Sequence, residues 1–506
     1  MTNPLILSLR GMTKRFGSVV AADAIDLDLQ RGEVLALLGE NGAGKTTLMN
    51  MLFGQYTPDA GTVHVWDEAD TETILPAGQP QAAIDARIGM VHQHFTLAEN
   101  LSVLDNILLG AEPLFRLGRH TRDAREKLTR LMDDSGLIAP LDTRVGDLTV
   151  GERQRVEILK ALYRDVRILV LDEPTAVLTP QEADTMFVSM RAMVDRGLSV
   201  IFISHKLHEV QAFSDRIAVL RHGRKTGEMA TKDADTGSII RMMVGEDLEV
   251  PPRVAGVPKK PILELQDMHT SSAAGGQGLS GLNLTVHGGE IVGIAGVSGN
   301  GQSAFAGLVS GLVQPQSGAM SVNGKAMPKP NPKAMLDAGV GRIPEDRHHD
   351  GIVSAMSVAE NLVIERLDAP DVQTRGFLRK AQIAEHAQDL TREYDVRGPG
   401  IEARSALLSG GNIQKLILAR VLETNPDLIL ANQPTRGLDF KAASEVSRRL
   451  FEARDRGAGV ILISEDLDEV LALADRILVM HDGHLLETDS RDRTVIGLMM
   501  AGGRAA

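Results

Sequence analysis

The sequence predicts an α/β chain of two tandem domains, each a mostly parallel sheet covered by helices. Three observations predict it. A glycine-rich loop is written twice, first as Gly39-Glu40-Asn41-Gly42-Ala43-Gly44-Lys45-Thr46-Thr47 and again as Gly296-Val-Ser-Gly-Asn-Gly-Gln302-Ser303. Within each copy, short apolar runs alternate with helical stretches, the pattern of a mostly parallel sheet covered by helices. A seam rich in proline and charge, GEDLEVPPRVAGVPKKP from Gly245 to Pro261, lies between the copies. Length agrees, because 506 residues exceed one ordinary core and suit two domains of about 250. The first domain is placed at 1–245, the linker at 246–260 and the second domain at 261–506.

Each element of the first copy has a local reason. Ile25-Asp-Leu-Asp-Leu29 alternates apolar and acidic residues, as a half-buried strand does. Val34-Leu-Ala-Leu-Leu38 is apolar throughout and reads as a buried strand feeding the glycine loop. An apolar helix follows at Leu48 to Leu52, and residues from about 100 to 165 read as mainly helical. Then come the strand Ile168-Leu-Val-Leu171, a helix from Pro180 and the strand Ser199-Val-Ile-Phe-Ile203. The second copy keeps register: Lys45 aligns with Gln302, Gly151 with Gly411, Asp172 with Asn432 and His205 with Glu465. Smaller echoes agree, such as Ser102-Val-Leu-Asp-Asn106 with Ser357-Val-Ala-Glu-Asn361. A period this long means duplicated domains and not a solenoid.

Composition excludes several classes. A net charge of -13 argues against a general nucleic-acid binder, which needs a basic face. With no cysteine, disulfides, thiolate metal sites and thiol catalysis are ruled out. No apolar run approaches the roughly 18 residues that span a bilayer. Met1 to Lys14 lacks the plan of a signal peptide. The chain is therefore expected to be cytoplasmic, with any membrane contact made through a partner.

The first loop carries chemistry. Its glycines let backbone N–H groups curl around phosphate oxygens, and the helix N-terminus behind it adds partial positive charge. Lys45 reaches the terminal phosphates and Thr46 can hold Mg2+. Asp172 ends an apolar strand, where its carboxylate can reach Mg2+ through the metal's water shell. Glu173 beside it can polarise an attacking water. His205 follows the next strand and reads as a contact to the γ-phosphate and water.

These residues, together with Leu408-Ser409-Gly410-Gly411-Asn412-Ile-Gln-Lys, resemble the ATP-binding cassette (ABC) family over essentially the whole chain. Leu148-Thr149-Val150-Gly151-Glu152 looks like a drifted form of the same signature. The resemblance implies two tandem ABC-type P-loop NTPase domains, each with a RecA-like core, an antiparallel β subdomain and a helical subdomain. It implies ATP and Mg2+ as cofactors, Phe16 as the aromatic stacking on adenine, and Gln93 as the Q-loop glutamine near the metal. In this family two cassettes meet head to tail. Site one would then take Phe16, Lys45, Thr46, Gln93, Asp172, Glu173 and His205 from the first copy, and Ser409, Gly410, Gly411, Asn412 and the crossing acid Asp439 from the second. Site two would have Gln302 for lysine, Glu345 for the Q-loop glutamine, Asn432 and Gln433 for the two carboxylates, and Glu465 for histidine. No Phe, Tyr or Trp lies between Gln266 and Leu282 to serve adenine. These changes should prevent hydrolysis there. Gly296, Gly299, Gly301 and Ser303 persist, which leaves weak or static nucleotide binding open.

A short seam and one broken site favour an importer ATPase over the soluble, ribosome-associated ABC class. Local wording such as Met90-Val-His-Gln-His-Phe95 and Ile343-Pro-Glu-Asp-Arg347 is similar to the nucleoside branch, with simple sugars such as ribose or galactose as the alternative. The implied partners are two transmembrane permease subunits and, indirectly, a periplasmic or lipoprotein substrate-binding protein, with no nucleic acid. The implied place is the cytoplasmic face of the cell membrane. Phe95, Leu97, Leu101 and Val103 are candidates for the groove that receives the permease.

Overall fold

A computed structural model describes residues 4–17, 19–92, 95–111, 121–175, 178, 180–204, 206–245, 255–272, 277–297 and 299–503. The chain forms two compact units, Met1–Leu248 and Glu249–Ala506. In the first, the strands Val19–Gln30, Leu5–Phe16, Ala60–Trp66 and Glu72–Leu75 form an antiparallel sheet in that spatial order. A six-stranded sheet runs Arg224–Ala230, Arg216–Arg221, Val34–Gly39, Ser199–Ile203, Ile168–Asp172, Ile88–Val91. Its strands pair in parallel except for the antiparallel edge strand Arg224–Ala230.

The central strands are buried on both faces, and their alternation divides the interior into two cores. Val34, Ala36 and Leu38 join Leu169, Leu171, Val200 and Phe202 under the helices. Leu35 and Leu37 join Val170, Ile201 and Ile203 against Leu7, Leu9, Ile25, Leu27 and Leu29 of the antiparallel sheet. Side chains of successive strand residues point to opposite faces, so one apolar run serves both layers. The alternation at Ile25 to Leu29 thus reflects packing of one sheet on another.

The helix after the loop spans Lys45–Leu52, earlier than the apolar run alone suggests. Gly44 starts it at φ 99 and ψ 5, a left-handed conformation suited to glycine. A β-carbon there would stand 2.1 Å from the Ala21 carbonyl oxygen. The helical layer contains Val103–Leu108, Thr121–Ser135 and Val150–Leu162. Val103 is fully buried and belongs to that core, which corrects its candidacy for a partner groove. Leu97 packs partly buried against the same core, and Phe95 and Leu101 are half-buried.

The second unit repeats the plan. Its antiparallel sheet runs Leu282–His287, Pro261–His269, Ser317–Val322, Lys325–Ala326. Its larger sheet runs Val340–Ile343, Leu428–Asn432, Gly459–Ser464, Ile291–Gly296, Arg476–His481, His484–Thr488. Val358–Val363, Lys380–Glu393 and Gly410–Glu423 are its helical layer. The end of the seam is fastened to this unit: Gly256 N donates to Asp475 Oδ1 at 2.8 Å and Lys259 N to the Gly288 carbonyl at 2.7 Å. Among the described residues no helix is long and apolar enough to cross a membrane.

Candidate functional site

Parallel pairing brings the glycine loop and Asp172 of the first copy to the same ends of neighbouring strands. Asp172 lies opposite Ile203, which lies opposite Leu37, two residues before Gly39. The loop, the acidic pair and the segment before His205 therefore leave the sheet side by side. Lys45 is buried, and its Nζ donates to the carbonyls of Gly39 at 2.7 Å and Glu40 at 3.0 Å. Thr46 Oγ1 donates to Asp172 Oδ2 at 3.2 Å. Gln93 and His205 lie outside the described residues.

Electrostatics fit a phosphate and cation site. Burial pushes the Lys45 ammonium below its ordinary value, opposed by the carboxylates of Glu173, Asp172 and Glu40. Burial and then the Glu173 charge push Asp172 up, opposed by the Thr46 hydroxyl and by Lys45. Two adjoining carboxylates, one of them buried, gain from a nearby cation. Thr46 and Asp172 suit Mg2+, since a hydroxyl and a carboxylate are the hard oxygen donors it takes. Glu173 sits at φ 49 and its N–H donates to the Ile203 carbonyl at 2.9 Å. A non-glycine residue there costs about 1–3 kcal/mol. Gln433 repeats the bend at φ 50, bonded to the Ile463 carbonyl at 2.8 Å. The second copy has thus kept the backbone and lost the carboxylate.

The structure adds residues that the motifs did not reveal. Glu209, only 2% exposed, accepts from Thr175 Oγ1 at 2.7 Å and Ser204 Oγ at 2.9 Å. It fastens the segment after Glu173 to the end of the neighbouring strand. Glu469 does the same for Thr435 and Ser464, at 2.7 and 2.6 Å. Burial pushes Glu469 up to about 7.

Phe16 ends its strand and is 46% exposed. Tyr56 meets it edge-on at 5.6 Å and 75°. Lys14 Nζ stands 5.6 Å from the Phe16 ring centre and is held by the Thr57 carbonyl and Asp59 at 2.7 and 3.0 Å. Nothing in the sequence announced Tyr56, because the pairing joins separate segments. In the second copy Gln316 N donates to the His269 carbonyl at 2.8 Å, matching Asp59 N to the Thr13 carbonyl at 2.8 Å. That register puts Ser272 and Val313 where the first copy has Phe16 and Tyr56.

The two signature helices differ at their first turns. Thr149 caps Val150–Leu162 and shares a capping box with Glu152, whose carboxylate accepts from Thr149 N at 2.8 Å. Its own carboxylate thus occupies the end of the helix that attracts anions. Ser409 precedes Gly410–Glu423 and makes no side-chain cap. Asn412 Nδ2 donates to Ser409 Oγ at 2.9 Å, while Asn412 Oδ1 accepts from Arg397 N at 2.7 Å. No carboxylate stands in the first turn, and Gly411 has open space where a β-carbon would be. Asp439 is the N-cap of Phe440–Arg456, accepting from Ala442 N at 2.7 Å. Glu345 pairs with Arg436 at 2.5 Å.

Comparison with known proteins agrees with this geometry. The family model described as ABC transporter matches residues 22–176 and again 279–436. The chain is 41% identical over 507 residues to the nucleoside import ATP-binding protein NupA of Lactococcus lactis, covering 99% of each chain. It is 42% identical over 539 residues to the glucose import ATP-binding protein TsgD13 of Haloferax volcanii, covering 99% of this chain and 97% of that one. It is 39% identical over 502 residues to the guanosine import ATP-binding protein NupO of Bacillus subtilis, covering 98% and 97%. Two glycine loops on two mostly parallel sheets, matched twice by one family model and end to end by these relatives, place the chain in the ABC transporter family.

Proposed function

We propose that the chain is the ATP-hydrolysing subunit of an importer for nucleosides, acting at the cytoplasmic face of a membrane through two separate permease subunits. A substrate-binding protein would deliver the cargo to the permease. One observation carries the reading: lysine, hydroxyl and two carboxylates meet at one sheet edge in the first copy, and carboxamides replace three of them in the second. Hydrolysis then belongs to the first loop alone.

In this reading Lys45 exchanges the carbonyls of Gly39 and Glu40 for phosphate oxygens. Thr46 and Asp172 would hold Mg2+, which supplies charge neutralisation at the phosphates. Glu173 orients and polarises the attacking water, with Gln93 and His205 completing its surroundings. Phe16 takes the adenine. The family resemblance would assign the second copy's signature, Ser409 to Asn412, whose helix N-terminus carries no side-chain cap, and Asp439 to the same ATP.

Nucleosides are favoured over simple sugars by the wording around Met90 to Phe95 and Ile343 to Arg347; the similar proteins include nucleoside and guanosine importers as well as a glucose importer. The test is uptake of labelled nucleoside by cells expressing the chain with its permease. ATP-dependent uptake, displaced by unlabelled nucleosides and not by ribose or galactose, is expected. Uptake of sugar alone would overturn the nucleoside assignment. Recovery only with ribosomes would overturn the importer reading.

A further inference from the structure

We propose that Arg347 is a positioning residue for ATP hydrolysis, on the reading that Ser409 to Asn412 and Asp439 serve the first loop's ATP. Its guanidinium joins segments of the second copy that are far apart in sequence. Nη1 donates to the Arg436 carbonyl at 2.8 Å and Nη2 to the Gly437 carbonyl at 3.3 Å. Those carbonyls belong to the turn that leads into Asp439, the N-cap of Phe440–Arg456. The same guanidinium lies against Gly410, the first residue of the signature helix. A β-carbon on Gly410 would stand 2.9 Å from Nη2 and 3.1 Å from Nε, and one on Gly437 would stand 3.3 Å from Nη2. One planar group thus braces the signature and the turn before Asp439 as a single piece.

The brace is particular to the second copy. Val91 pairs with Leu171 as Ile343 pairs with Ala431. Counting on from those pairs sets Phe95 at the place of Arg347 and Val177 at that of Gly437. Val150 stands for Gly410, by the register that aligns Gly151 with Gly411. The first copy therefore lacks the guanidinium and has a valine at each glycine that makes room for it. A further fastening, Glu345 with Arg436 at 2.5 Å, is missing there too, because Ala176 stands for Arg436.

Chemistry explains why the residue is arginine. A guanidinium presents its donors in a fixed plane, so it can hold two successive carbonyls in one geometry. It also sets a half-buried cation beside the first residue of the signature helix, the end where partial positive charge gathers. That placement costs stability while the signature is empty and favours an anion brought to it. A neutral brace would serve the fold better. Without Arg347, Gly410 and the turn before Asp439 can shift independently.

The test measures steady-state ATP turnover by the full chain assembled with its permease. Arg347→Ala should lower kcat about tenfold or more and leave KM for ATP within about twofold of native, because the first loop and Phe16 are untouched. Arg347→Lys keeps the stem and the charge but not the fork. It should melt as the native chain does and still lose kcat, by less than Arg347→Ala loses. That variant decides the matter if Arg347→Ala melts early. Native kcat in Arg347→Lys, or a rise in KM with kcat unchanged, would overturn the brace. Ser409→Ala, measured beside them, separates the brace from the reading it rests on. Full turnover in Ser409→Ala overturns that reading. Lost turnover in Ser409→Ala with native turnover in Arg347→Lys overturns the brace alone.

Discussion

Replacing Tyr56 with alanine should weaken ATP binding without slowing its hydrolysis. Tyr56 packs nearly perpendicular to Phe16, with 5.6 Å between ring centres and 75° between planes, and Lys14 lies 5.6 Å from the centre of the same ring. Phe16 is 46% exposed, so much of the residue is left open to solvent. An edge-to-face aromatic pair contributes about 0.5–1.5 kcal/mol beyond the area it buries. If that energy holds the ring ready for adenine, its loss raises KM for ATP about two- to twelve-fold. The contact is the same in ground and transition states, so kcat should not change. The assay is steady-state ATP turnover of the chain assembled with its permease, over a range of ATP concentrations. Tyr56→Phe keeps the ring and should restore KM. Phe16→Ala combined with Tyr56→Ala should be little worse than Phe16→Ala alone, since both act through one platform. An unchanged KM in Tyr56→Ala, or a fall in kcat to match, would refute the reasoning.

Two further predictions separate stability from activity. Thr149→Ala breaks a capping box and should cost about 1 kcal/mol in stability. Ser409→Ala removes no cap and should change stability by no more than about 0.5 kcal/mol, yet it should abolish ATP turnover; denaturant melts and turnover of the two variants decide this. Glu469 is raised from 4.5 to about 7, so the folded chain holds a proton that the unfolded chain releases. Its contribution is present below the unfolded value and lost as pH rises through the folded one. The loss should reach as much as about 3 kcal/mol. Thermal melts across that window should show a steeper decline in the native chain than in Glu469→Gln, and identical profiles would contradict the assignment.

Much of this architecture is legible in the sequence because burial and phosphate binding both write local patterns. Val34 to Leu38 and Ile168 to Leu171 are apolar on consecutive positions because each strand serves two cores. The glycines of the loops are fixed by backbone angles that other residues rarely adopt. Lys45, Thr46 and Asp172 stand out because their spacing follows from strand, loop and helix in sequence. What escaped depends on side chains meeting across distant segments. Tyr56 is an ordinary tyrosine until the fold sets it on Phe16. Glu209 looks like a surface helix residue until Thr175 and Ser204 close on it. Glu152 reads as a neutral drift in the signature, whereas its carboxylate occupies the helix end that phosphate would use. Val103 misled for the opposite reason: an apolar residue near a loop end can be core as easily as surface.

The central claim is that hydrolysis resides at one loop of the two. It is tested most directly by measuring ATP turnover of the assembled transporter with Glu173→Gln and, separately, with Gln433→Ala. Both residues occupy the same backbone bend, at φ 49 and 50, so the comparison isolates the side chain. The account predicts that Glu173→Gln abolishes turnover while ATP still binds, and that Gln433→Ala leaves turnover near the native rate. Equal loss in the two variants would contradict it.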